Sequence, residues 1–147
     1  MKTKIKITTI NDEISENIDE TIDFLKSNNI NYVEIRSINK KNLVDYSLDE
    51  VTNIYNLLKK NNIKVSALAA PLFKWYPDKS TKEAIQKVDT FNFNPDLSIE
   101  NKKEYIKKAM EVAKALRTKN VRIFSSLKTK DTEYNFSKDP LLVFALE

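Results

Sequence analysis

The 147 residues include no glycine, no histidine and no cysteine. At a usual glycine usage of about 7%, roughly ten were expected, and drawing none has odds on the order of one in ten thousand or worse. The absences exclude chemistry. Walker A loops and G-x-G-x-x-G turns need a backbone approach that a Cβ blocks. Without histidine there is no Ser-His-Asp or Cys-His pair and no H-E-x-x-H zinc site. Without cysteine there is no disulfide, thiolate nucleophile or Cys-zinc cluster. Carboxylates, lysine, arginine, tyrosine and hydroxyls remain. Arginine is itself scarce, present only as Arg36, Arg117 and Arg122. No stretch reaches the roughly 18 apolar residues of a membrane span. No apolar region follows the basic start, so no signal peptide is read and a cytoplasmic location is expected.

What is there is one soluble α/β domain over residues 1–147. Hydrophobic residues make up 41% and charged ones 31%, which supports a packed core rather than a disordered chain. The 25 cations exceed the 21 acids by four, but lysines and acids are interleaved along nearly the whole chain. Lys102, Lys103, Lys107 and Lys108 read as a solvated helix face, and no nucleic-acid or membrane partner is expected.

Strand and helix signals alternate. Ile5–Thr9, Tyr32–Arg36, Lys64–Ala69 and Val121–Ser125 read as strands. Ser15 caps a first helix. Ser47-Leu48-Asp49-Glu50 is a capping box opening a second, and Ser98 caps a third. Asp139-Pro140 reads as the cap and first position of a last helix, 140–147. Leu25-Lys26-Ser27-Asn28-Asn29-Ile30 repeats as Leu58-Lys59-Lys60-Asn61-Asn62-Ile63, 33 residues on. In each copy the second asparagine stands where a helix end normally takes a left-handed glycine, and Arg117 holds the matching place after the third helix. Such βα units predict parallel strands with right-handed crossovers: either four units, (βα)4, of a (β/α)8 barrel, or a small open doubly wound sheet.

Tyr32-Val33-Glu34-Ile35-Arg36-Ser37, Lys41-Asn42-Leu43, Ser66 to Trp75 and Val121-Arg122-Ile123-Phe124-Ser125 together resemble the N-terminal half of the sugar phosphate isomerase/epimerase family. These are xylose-isomerase-like TIM barrels, in a superfamily shared with endonuclease IV-type AP endonucleases. The resemblance implies a parallel half-barrel ending early in its fourth helix, and a small sugar or sugar phosphate as substrate. It also implies a divalent metal, Mn or Mg. The family's metal ligands come mostly from strands five to eight, so the resemblance assigns no metal ligand in this chain. The glycines the family places at turns are missing.

In such barrels the chemistry sits at the C-terminal strand ends. Glu34, Arg36, Ser66 and Arg122 are therefore candidate substrate contacts, with Arg36 an anion binder or a structural ion pair. Residues 70–97 hold five of the fourteen aromatics and three of the four prolines. Segments this long are commonly lids. Lys74 and Trp75 are candidates there, for an anion and a sugar ring face; the alternative is an aromatic cluster packed under the loop. Ser80-Thr81-Lys82-Glu83 opens a short helix near 81–88. No catalytic residue is identifiable. Two functions follow: an isomerase/epimerase lineage, inactive as a half chain, or a non-catalytic glycine-free half-barrel scaffold, truncated or designed. Open sheet edges predict a homodimer.

Overall fold

The computed structural model describes residues 5–77, 93–128, 130 and 135–146. The expected short helix near 81–88 lies outside them. The chain runs through β1 (Thr9–Ile10), α1 (Ile18–Ser27), β2 (Tyr32–Ile35), β3 (Ser37–Ile38), β4 (Lys41–Asn42) and α2 (Leu48–Lys60). It continues through β5 (Lys64–Ala69), α3 (Ile99–Ala115), β6 (Val121–Arg122) and α4 (Pro140–Leu146). Four strands form one parallel sheet in the order β1-β2-β5-β6. Strand order thus follows chain order.

The two sheet faces differ. Val33, Ile35 and Leu68 point to one face and join a single apolar cluster with Ile22 and Leu25 of α1, Val51 and Leu58 of α2, Ile106 and Val112 of α3, and Leu141 of α4. The apolar stripes of α1, α2 and α3 therefore feed the cluster on that face, and α4 packs on α3. The ladder puts Ile10, Glu34, Ala67, Ala69 and Arg122 on the opposite face. None of the three apolar members of that set belongs to the cluster.

The helix ends follow the repeat. After α1, Asn29 donates its N–H to Lys26 C=O and Ile30 to Leu25 C=O; after α2, Asn62 donates to Lys59 and Ile63 to Leu58; after α3, Arg117 donates to Lys114 and Thr118 to Ala113. This paired closure requires a left-handed residue, and φ is 56° at Asn29, 59° at Asn62 and 57° at Arg117. Asparagine tolerates that region; arginine gains nothing from it. Arg117→Gly is expected to stabilise the fold by up to about 1 kcal/mol, and Asn62→Val to cost about 1 kcal/mol or more, both read from denaturant midpoints.

Three helix starts were legible and one was displaced. Ser47 and Glu50 form the complete capping box, Ser98 accepts from Asn101 N–H, and Asp139 Oδ1 accepts from Leu141 N–H at 2.8 Å. At α1 the cap is Asn17, which accepts from Asp19 and Glu20. Ser15 instead accepts from Asn17 N–H and donates to Glu20, one step outside the helix. At Glu50, bonds from the Ser47 N–H and hydroxyl hold the carboxyl below its ordinary range. A lowered folded value contributes stability above the unfolded value that is lost as pH falls through the folded one. Ser47→Ala removes the hydroxyl but keeps the N–H, so only a partial return of Glu50 toward an ordinary titration is expected, followed by carboxyl NMR.

The outer strands are shorter than their sequence pattern. Pairing on β1 is confined to Thr9–Ile10, and Ile5 is 86% exposed. β6 stops at Arg122, although Phe124 N–H still reaches Leu72 C=O and Leu127 N–H reaches Trp75 C=O. Among the described residues each has a neighbour on one side only. The β3–β4 hairpin was not expected. Its two-residue turn, Asn39-Lys40, has φ of 50° and 62°, which suits a tight hairpin and is normally given to Asn-Gly.

Candidate functional site

The C-terminal ends of the parallel strands carry two polar clusters. The first follows β1. Asn11 is fully buried and holds the crossing from β2: its Nδ2 donates to Ser37 C=O at 2.6 Å and its Oδ1 accepts from Arg36 N–H at 2.8 Å. Next to it, Arg36 Nε lies 2.8 and 2.9 Å from the two Asp12 oxygens, and Nη2 donates to Glu13 at 2.7 Å. Ser37 Oγ also donates to Asp12. Asp12 is 6% exposed and Arg36 12%. Burial works against the charged guanidinium, yet the bonds to Asp12 and Glu13 and their charges leave Arg36 raised. Its fork is directed at two carboxylates, so it acts as a structural ion pair joining β1 to β2, and a role as primary anion binder is set aside.

The second cluster lies on the face away from the helices. Arg122 Nε approaches Glu34 Oε1 at 3.3 Å, but the angle is too poor for a hydrogen bond, and both atoms are buried. The Arg122 guanidinium also lies 5.8 Å from the centre of the Phe124 ring, and Lys74 Nζ lies 5.2 Å from the same ring. Two cations thus lie near one aromatic ring, next to a carboxylate. Ser126 brings a buried hydroxyl with no hydrogen-bond partner among the described residues.

The backbone beneath this cluster is strained. Pro71 to Lys74 forms a turn closed by Lys74 N–H to Pro71 C=O, and Phe73 in its third position has φ of 61°. That position ordinarily demands glycine. A fully buried phenylalanine there costs on the order of 1–3 kcal/mol of local strain. Ser126, past β6, has φ of 70°. Both departures flank Lys74 and Phe124, and strain of this kind gathers at functional sites.

The other sequence-derived candidates fall elsewhere. Ser66 sits at the irregularity between β2 and β5, where its hydroxyl donates to Val33 C=O and meets Thr8 Oγ1. It is occupied within the sheet. Trp75 is 1% exposed. Its indole packs against Phe73 and Phe93 at 5.1 and 6.2 Å, so it is core, not a wall offered to a ligand. Lys102, expected on a solvated face, is buried instead: its ammonium donates to Tyr76 C=O at 3.0 Å and lies 5.9 Å from the Trp75 ring. Asn11, Asp12 and Phe124 were missed as a set. Asn-Asp-Glu directly after a strand was the available signal for the first two.

Among the described residues there is no donor set that fits the divalent metal implied by the resemblance. Among the described residues no group of three or more carboxylates gathers at one point, and Asp12 and Glu13 are directed at Arg36. No helix of the described residues is long and apolar enough to cross a membrane. Comparison with known proteins finds no family model, no curated protein and no solved structure that matches this chain.

Proposed function

We propose that this chain is a (βα)4 half-barrel of the sugar phosphate isomerase/epimerase kind, binding a small sugar phosphate at the Glu34–Arg122–Phe124–Lys74 cluster. The observation that carries the reading is the position of that cluster. It lies toward the C-terminal ends of parallel strands, on the sheet face to which no helix of the described residues contributes. Chain-ordered parallel strands with all helices on one side are the arrangement of a barrel wall, and a barrel places its ligand at that end. Doubly wound sheets put helices on both faces.

The chemistry suits the ligand. Arg122 offers positive charge to a phosphate, the buried Lys74 ammonium adds to the field behind it, Phe124 offers a ring face to the C–H side of a sugar, and the Glu34 carboxylate accepts from hydroxyls. No proton transfer is assigned to Glu34. Calorimetric titration with sugar phosphates tests this. Arg122→Ala is expected to weaken binding about tenfold or more, the loss of a charged hydrogen bond. Equal binding by wild type and Arg122→Ala, or none by wild type at millimolar ligand, overturns the reading.

The face also supports a partner. Ile5 and Ile7 lie exposed beside the β1 edge, and Ile123 beside the β6 edge. A second copy, its β6 edge against this β1 edge and the reverse, closes eight strands into a ring and covers those side chains.

A further inference from the structure

We propose that the opposite end of the sheet binds single-stranded nucleic acid, independently of the sugar phosphate site. Along the sequence the lysines are interleaved with acids, which argued against such a partner. The fold sorts them. The three turns that lead from a helix into a strand, residues 26–32, 58–65 and 114–121, together hold seven lysines or arginines and no aspartate or glutamate. They lie side by side at the N-terminal ends of β2, β5 and β6.

Two cavities open there. One, of about 500 Å³, is lined by Tyr32, Tyr55, Lys59, Lys64 and Arg117 among others. The second, of about 580 Å³, shares Tyr32 and Lys64 with the first and adds Lys6. No carboxylate lines either one. Lys59, Lys64 and Arg117 form no ion pair with any described residue. Lys59 complements the α2 dipole, but Lys64 begins a strand and has no such duty. Tyr32 and Tyr55 are half-buried; Lys6 Nζ lies 5.2 Å from the Tyr32 ring centre, which leaves Tyr55 as the ring for stacking. Cations along a groove with an aromatic ring among them match the requirements of a single strand: phosphates along the charges, a base on the ring. A lone small phosphate would not use a surface of this extent.

Arg117 makes the test clean. Because its φ is 57°, Arg117→Gly removes the cation while relaxing the backbone, so lost binding cannot be blamed on unfolding. The probe is a labelled oligothymidylate followed by fluorescence anisotropy, with a duplex and polyglutamate as competitors. With three phosphates neutralised, affinity is expected to fall about twentyfold between about 50 and 200 mM salt. Arg117→Gly is expected to flatten the logarithmic salt slope by about 0.7. Tyr55→Leu is expected to weaken binding about tenfold, as lost stacking requires. The Arg122→Ala variant is expected to bind the oligonucleotide like wild type. Absence of binding at low salt, equal competition by polyglutamate or duplex, or indifference to Arg117→Gly each overturns the proposal.

Discussion

Trp75→Ala is expected to destabilise the protein by about 3–5 kcal/mol, the cost of emptying a fully packed tryptophan site. That is a large share of the 5–15 kcal/mol that holds most domains together. The indole is 1% exposed, touches Phe73 and Phe93, and lies over the buried Lys102 ammonium. Its removal opens a cavity and strips that lysine of its aromatic neighbour. Urea unfolding is the measurement. A loss under 1 kcal/mol would mean that the indole is not part of the core. The same burial predicts blue-shifted tryptophan emission that sugar phosphates leave unchanged.

Arg36→Ala is expected to cost about 3 kcal/mol, because breaking a buried pair leaves an uncompensated charge. Asp12, 6% exposed, would keep Ser37 Oγ but lose both guanidinium bonds. Glu13 is largely exposed and adds little. Replacing both partners, Arg36→Met with Asp12→Leu, is expected to recover much of the loss, which a double-mutant cycle measures. Ligand affinity should follow the folded fraction alone. An Arg36→Ala protein of wild-type stability that binds sugar phosphate poorly would restore Arg36 as an anion binder.

The helices and their ends were legible because local chemistry decides them. Ser47 with Glu50, Ser98 and Asp139 act within three residues of themselves. The left-handed closures at Asn29, Asn62 and Arg117 follow from the repeat and from the lack of glycine. Strand β5 was read at its full length because it is paired on both sides. The outer strands were overestimated: alternation in Ile5-Lys6-Ile7 records a preference, and pairing needs a neighbour that the sheet does not supply there. Period-two spacing put Glu34 and Arg36 together, but Arg36 lies past the end of β2 and turns to Asp12. Burial of the loop aromatics is revealed by no local pattern: Phe73 and Trp75 went inward, while Phe124, just past β6, lies near Arg122 and Lys74. The basic end was hidden because its cations come from three distant segments.

In the proposed function the sheet face bearing Glu34 and Arg122 is the inner wall of a barrel that a second copy completes. Sedimentation equilibrium at tens of micromolar tests it most directly. The account predicts a mass of twice the 17.1 kDa chain, and a return to monomer when Ile7→Lys and Ile123→Lys are introduced at the two edges. A monomer that unfolds cooperatively at that concentration would contradict it.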